Sequence, residues 1–395
     1  MRIVVVGGSV AGVAACRALR REAWAGEIVL VGDEDVCYDR PPLSKGVLVG
    51  STDPSELELA DASALAELRV QRRARVRAES LDLARGVVGL ERGELAFDGL
   101  ILATGSHARH PNFPASGIHL LRTVEDALRL RDALQRGGHV IVVGAGFIGL
   151  EVASSARELG LEVTVLEYGP QPMARVLPTE VGQLFTRLHT AAGSDVRCGV
   201  EVVGIEDGTV QLADGERVSG DVIVVGIGAS PNDAWLTGSG LECGDGVVCD
   251  ETLRAAPRVY AVGDLARWMH PLYGAIRMEH WTGAHDHARV AAANLIAELS
   301  SAGEPAQAAN AIPYFWSDQL GSKLQMAGWT PGCDAVHFSR EGKRHLILAG
   351  RDERLMAAIT LDWPRELALH RRKLARELDF ATAVAEAPGT PAGLV

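Results

Sequence analysis

One pattern occurs twice in this chain and limits what it can fold into. Residues 4–20 read VVVGGSVAGVAACRALR, and residues 141–157 read IVVGAGFIGLEVASSAR. Each is a short β-branched run, a glycine turn and then an apolar pattern at helical spacing. Each continues into a second strand-like run with an acid at its end. The first is Glu27–Val31 with Asp33 (Glu34 beside it), and the second is Glu162–Leu166 with Glu167. Strand, glycine turn, helix, strand and acid make up the dinucleotide-binding pattern, so the repeat predicts two such units.

The same physics governs both copies. A tight turn lets backbone N–H groups approach a pyrophosphate, and the helix N-terminus adds roughly half a positive charge. The terminal carboxylate accepts hydrogen bonds from a ribose diol. The second copy is complete, with Gly144, Gly146 and Gly149 around Phe147 and Ile148. The first has Gly7, Ser9 and Gly12 around Val10 and Ala11, so its middle glycine is replaced. Against these functional roles stands a simpler one, that the glycines only let helix pack on strand. Glu167 would repel a 2′-phosphate, and no arginine follows until Arg175, so NADH is expected over NADPH. Two nucleotide sites on one chain imply a flavoprotein fed by a nicotinamide.

Composition removes other classes. The formal charge of −12 lacks the basic footprint of a nucleic-acid binder. No apolar stretch reaches the length of a membrane span, and no cleavable leader is expected, since Met1 runs straight into the strand-like Ile3–Val6. The six cysteines contain no C-x-x-C and no metal-ligand spacing, which reads as reduced thiols of a cytoplasmic protein.

Further segments sharpen the reading. Asp39-Arg40-Pro41-Pro42-Leu43-Ser44-Lys45 follows the first unit, and Leu100–Leu102 leads into Ala103-Thr104-Gly105. Asp221–Val225 leads into Gly226-Ile227-Gly228, Val259–Val262 into Gly263-Asp264, and Pro313-Tyr314-Phe315-Trp316-Ser317-Asp318-Gln319 comes near the end. On these motifs the chain resembles the FAD-dependent NAD(P)H:ferredoxin reductases, the group of putidaredoxin reductase, rubredoxin reductase and the reductase component of Rieske-type dioxygenases. The likeness runs from residue 1 to about 380.

The resemblance implies an α/β fold of the two-nucleotide, glutathione-reductase-like kind: two Rossmann-like domains and a C-terminal α+β domain. Residues 1–107 and 232–305 would bind FAD, 108–231 would bind NADH, and 312–395 would form the third domain. Ser301–Ala311 reads as a linker. In the third domain strands are expected at Lys323–Ala327, His345–Ala349 and Leu355–Thr360, then a helix from Pro364 through Asp379 and a frayed tail, APGTPAGLV.

Roles follow by resemblance. Lys45 would lie near the flavin ring and pair with Glu151; the alternatives are a surface lysine and a solvated helix residue. Asp264 would bond the ribityl chain, or cap a following helix. Arg40, Val76, Arg122, Glu279, His280 and Trp281 map to flavin contacts, although most relatives carry a smaller residue where Trp281 stands. Trp316 would cover the flavin near the docking face of an iron–sulfur partner, or be a core tryptophan. Cys37 has no partner for a redox dithiol.

The implied activity is transfer of electrons from NADH through FAD to a small [2Fe–2S] ferredoxin serving a cytochrome P450 or a Rieske-type oxygenase. Other readings on the same scaffold are an NADH oxidase, a peroxide or disulfide reductase, and a non-catalytic NADH sensor resembling apoptosis-inducing factor. Two basic stretches could steer a transient acidic partner: His370–Lys373 with Arg376, and Arg69, Arg72, Arg73, Arg75 and Arg77.

Overall fold

In a computed structural model that describes residues 1–300 and 305–391, the chain divides into two compact units. Unit 1 comprises Met1–Asp39, Ser55–His107 and Ala229–Ala311; unit 2 comprises Arg40–Pro54, Ala108–Gly228 and Ile312–Val395. Part of the expected linker, 301–304, and the last four residues of the tail lie outside the described residues.

Unit 1 is built on β1 (Arg2–Val6), α1 (Val10–Arg21) and β2 (Glu27–Val31). Its six-stranded sheet has the order 254–256, 259–261, 99–102, β1, β2, 70–73. All pairings are parallel except at the 254–256 edge. Ile3, Val4 and Val5 are fully buried, as expected of a parallel strand covered on both faces. The helix Trp281–Ser300 packs against α1.

Unit 2 repeats the design with β3 (His139–Val143), α2 (Phe147–Glu158) and β4 (Glu162–Glu167). Its parallel sheet has the order 195–198, β4, β3, 222–225, 118–119. One face of β3 and β4, through Ile141, Val143 and Leu166, forms a core with Ile205, Val210 and Leu212 of a small antiparallel sheet.

The C-terminal part of unit 2 is an antiparallel sheet that starts with β5 (Tyr314–Gln319). The three expected strands appear as Ser322–Gly328, Arg344–Arg351 and Arg354–Leu361. A further strand, Ala335–Glu341, carries only one fully buried side chain, Ser339, so it has little apolar alternation to announce it. Two expectations are corrected. The helix α3 (Pro364–Leu374) stops five residues short of Asp379, which instead caps a separate helix, Phe380–Ala385, by accepting from the Thr382 N–H at 2.8 Å. The described part of the tail is also not frayed, because Thr390–Pro391 pairs with Ser339 and Arg340.

Candidate functional site

The two glycine turns show which glycines serve the fold and which serve a ligand. A Cβ on Gly7 would lie 2.1 Å from the Ala103 carbonyl oxygen, and one on Gly144 would lie 2.4 Å from that of Gly226. Both residues adopt positive φ, +119° and +102°. A Cβ on Gly12 or Gly149 would strike the Gly7 or Gly144 carbonyl oxygen. Strand–helix packing alone therefore demands the first and third glycines. The middle one is different: a Cβ on Gly146 would come no closer than 3.9 Å to the protein. Its smallness leaves a space that a pyrophosphate can use, and the packing explanation fails at this position.

The helix starts agree. Neither Ser9 nor Gly146 makes a side-chain cap bond, and neither α1 nor α2 has an acid in its first turn. By contrast, the helix Val124–Gln135 is closed by a full capping box between Thr123 and Asp126. The first-turn N–H groups of α1 and α2 are thus available to an anion. Ser9 directs its hydroxyl to the Tyr38 carbonyl oxygen at 3.4 Å, so its side chain is accommodated in the first turn.

The acids are not equivalent. Glu167 is tied to its own turn: Oε2 accepts from Ala145 N and Oε1 from Gly169 N, both at 2.6 Å. A carboxylate offers about four acceptor sites, so roughly two remain for a ribose diol. Val143 is in register with Leu166, and Val6 with Val31. The residue matching Glu167 in the first copy is therefore Gly32. Asp33 sits one position beyond and pairs with Arg77 at 3.1 Å. Val76 donates to the Gly32 carbonyl oxygen at 3.0 Å, beside that acid.

Other unit 1 residues gather around the 103–105 and 263–264 turns. Thr104 and Asn232 exchange hydrogen bonds of 2.8 Å. Asp264 accepts from Ser106 Oγ at 2.8 Å and belongs to a short 3-10 turn that runs into a strand, so it caps no following helix. Glu279 pairs with Arg277 at 2.8 Å. Burial lowers the His280 imidazole to about 4. Trp281 donates its indole N–H to Asp39 at 2.8 Å, a bond that smaller residues cannot make. Burial raises the Cys37 thiol, which favours the protonated, unreactive form.

In unit 2, Lys45 Nζ lies 2.8 Å from Glu151 Oε2, and Glu151 is only 4% exposed. The solvated alternative for Glu151 therefore fails. Ser44 Oγ donates to Oε2 and Ser317 Oγ to Oε1, both at 2.5 Å. Lys45 also donates to the Pro41 carbonyl oxygen at 3.2 Å. Arg40 donates to the Arg122 carbonyl oxygen at 2.7 Å. Arg175 reaches the Ile227 carbonyl oxygen at 3.4 Å, next to Gly228, and Ile148 is 45% exposed at the start of α2.

Geometry explains why β5 meets α2 at Glu151. Four residues of helix rise about 6 Å and two residues of strand about 6.7 Å, so i, i+4 on one matches j, j+2 on the other. Phe147 packs edge-on to Phe315 at 4.6 Å, Glu151 meets Ser317, and Ser154 accepts from Leu320 N at 2.8 Å. Phe315, Ser317 and Gln319 form the buried row of β5. The other row carries Tyr314 and Trp316, stacked with centroids 6.1 Å apart, with Arg371 of α3 5.4 Å over Tyr314.

Sequence reasoning missed Ser44, Ser317 and Gln319. The alternation in YFWSDQ was the available signal, since it puts Ser317 and Gln319 on the face of Phe315. Of the two basic stretches, the first-domain arginines are largely matched: Arg75 pairs with Asp35 at 2.5 Å, Arg77 with Asp33, and Arg72 with the Glu34 carbonyl oxygen.

Comparison with known proteins agrees with this architecture. Residues 1–288 match the family described as pyridine nucleotide-disulphide oxidoreductase, and residues 314–391 match the reductase C-terminal family. Rhodocoxin reductase of Rhodococcus erythropolis is 36% identical over 392 residues, covering 96% of this chain and 90% of its own length. The ferredoxin–NAD(+) reductase component of the biphenyl dioxygenase system of Paraburkholderia xenovorans (strain LB400) is 34% identical, covering 94% and 92%. The crystal structure of the covalent putidaredoxin reductase–putidaredoxin complex aligns with a TM-score of 0.90 at 31% identity, covering 96% of this chain and 94% of that one. The chain belongs to the pyridine nucleotide-disulphide oxidoreductase family and carries its reductase C-terminal domain.

Proposed function

We propose that this protein is an NADH-dependent flavoprotein reductase that passes electrons through FAD to a small [2Fe–2S] ferredoxin serving a cytochrome P450 or Rieske-type oxygenase. The observation that carries the reading is in α2. The helix that opens at an anion-ready dinucleotide turn holds, two residues past its last glycine, a buried carboxylate bound to Lys45. The relatives of matching length are reductases of ferredoxin, rubredoxin and rhodocoxin.

The chain's own groups divide the work. In the 144–149 turn the backbone N–H groups take the NADH pyrophosphate, Glu167 takes the adenosine ribose, and Phe147, Ile148, Arg175 and Gly228 line the nicotinamide's path. The 7–12 turn, Asp33, Val76, 103–105, Asp264, Glu279, His280 and Trp281 would hold FAD, and the resemblance adds Arg40 and Arg122 as flavin contacts. Bound FAD would supply the conversion of a hydride's electron pair into single electrons. Lys45 places a fixed cation where negative charge develops, and Glu151 keeps that cation in place. Trp316 and Tyr314 offer an aromatic surface toward the electron acceptor. The overall change is balanced: one NADH and two oxidised ferredoxins give NAD⁺, two reduced ferredoxins and one proton. The domain boundaries proposed are 1–107 with 232–305 for FAD, 108–231 for NADH and 312–395 for the third domain. The location proposed is cytoplasmic, supported by six unpaired cysteines. Among the described residues no helix is long and apolar enough to cross a membrane.

Anaerobic stopped-flow mixing with NADH, then with [2Fe–2S] ferredoxins, tests the reading. Expected are rapid bleaching of the flavin by NADH, and cytochrome c reduction only when ferredoxin is present. A protein that never retains isoalloxazine, or that consumes oxygen or peroxide equally fast without ferredoxin, overturns it.

A further inference from the structure

A line of buried side chains continues beyond Glu151. Gln319 Nε2 donates to Ser317 Oγ at 2.9 Å, and Gln319 Oε1 lies 3.0 Å from His189 Nε2. Ser317, Gln319 and His189 are each no more than 1% exposed. His189 stands in the helix Thr179–Ala191 on the buried stripe of Val181 and Phe185. Its Nδ1 has no hydrogen-bond partner among the described residues.

Proton counting fixes every direction in this line. Glu151, paired with Lys45 as a carboxylate, can only accept. Ser317 has one proton, and Glu151 Oε1 takes it at 2.5 Å. Ser317 Oγ must then accept from its other neighbour, so Gln319 turns its NH₂ group toward it. The amide oxygen of Gln319 is left facing His189, which must carry its proton on Nε2. Nδ1 is thereby bare, as its lack of a partner requires. Burial also lowers the His189 pKa, in keeping with a neutral ring. All three bonds point their positive ends toward Glu151.

We propose that Ser317 and Gln319 are positioning residues for the Lys45–Glu151 pair, and that His189 anchors the far end of a hydrogen-bond chain polarised toward Glu151. The inference rests on the reading that Lys45 faces the flavin. The chain spreads the charge of Glu151 over donors on β5, so the ammonium of Lys45 is less fully offset at the reduced ring. It also ties the pair to the strand that carries Trp316 on its opposite face.

Two variants test this in the holoenzyme. Ser317→Ala removes the donor to Oε1. Gln319→Glu preserves shape but replaces the donor by an acceptor, drawing the Ser317 proton away from Glu151. Both should lower the two-electron midpoint potential of the flavin, with a tenfold change in equilibrium constant, ~30 mV, as the expected size. Asp318→Asn, adjacent in sequence but on the other face and paired with Lys323 at 3.3 Å, should leave the potential unchanged. ¹⁵N NMR of histidine-labelled protein, assigned with a His189→Asn control, should show the Nε2–H tautomer at His189. Unchanged potentials in both variants, or an Nδ1–H tautomer, would overturn the proposal. The tautomer is read without turnover, so it still decides the matter if the protein proves not to reduce ferredoxin.

Discussion

Replacing Glu167 by arginine should narrow the preference for NADH over NADPH, and the geometry sets the scale. The carboxylate is immobilised by Ala145 N and Gly169 N at 2.6 Å, so it cannot swing away from a 2′-phosphate. At a separation of ~6 Å, with an effective dielectric between about 20 and 80, one unit-charge pair costs ~0.7–2.8 kcal/mol. A phosphate of about −1.5 to −2 raises that to ~1–5 kcal/mol. Loss of hydrogen bonds from the ribose diol to a charged group costs NADH a further ~1.5–3 kcal/mol. Each ~1.4 kcal/mol is a factor of ten, so the ratio of kcat/KM for NADH to that for NADPH should fall at least ~60-fold in Glu167→Arg. The assay is single-turnover flavin reduction with each coenzyme at two salt concentrations. In the native protein the discrimination should weaken as salt rises, because the site is only half-buried. A ratio unchanged by the substitution would refute the ribose assignment and the electrostatic reasoning with it.

Lys45→Met leaves a carboxylate that is 4% exposed without its cation, so stability should fall by ~3–5 kcal/mol, and Lys45→Met/Glu151→Gln should recover part of it. Urea unfolding measures both, and equal losses in the two would contradict the pairing argument. Burial lowers the His287 imidazole to about 3 from 6.5. The unfolded chain therefore binds the extra proton first, and stability is lost as pH falls below about 6.5, by ~2 kcal/mol from this group at pH 5. His287→Phe should flatten that acid limb in a Tm-against-pH series, and an unaltered limb would exclude His287 as its source. Replacing Arg371, Arg372 and Lys373 by glutamate should raise the KM for an acidic ferredoxin at low salt while leaving flavin reduction by NADH intact; unchanged ferredoxin turnover would eliminate α3 as a steering surface.

The duplicated units were legible because a parallel strand buried on both faces must be a continuous β-branched run, and a glycine turn must follow where a helix doubles back. Spacing alone was less reliable. Counting about 20 residues to an acid selects Asp33, yet strand register places Gly32 opposite the turn where Glu167 stands in the second copy. A Cβ on Gly32 would come within 3.1 Å of Gly8 N, so the first turn is closed by backbone where the second is closed by a carboxylate. Two sites with one motif therefore hold their acids differently. Helix ends in the third domain were blurred for another reason: Leu374 and Leu378 continue an apolar spacing across a break that only Asp379, as a cap, makes visible.

The Lys45–Glu151 pair was expected from the resemblance, but the side chains that support it lay beyond sequence reasoning for a physical cause. A motif names residues that touch a ligand, whereas the side chains of Ser44, Ser317, Gln319 and His189 hydrogen-bond to one another or to Glu151. Ser44 and Glu151 are 107 residues apart in sequence, Ser317 and Glu151 are 166 apart, and Gln319 and His189 are 130 apart, so no local periodicity joins them. What joins them is a match of rise between α2 and β5, together with the cost of leaving a buried donor without an acceptor. That cost makes the arrangement directional. A carboxylate at one end decides which nitrogen of a histidine carries its proton at the other, and a reversal at any link would leave two donors or two acceptors face to face.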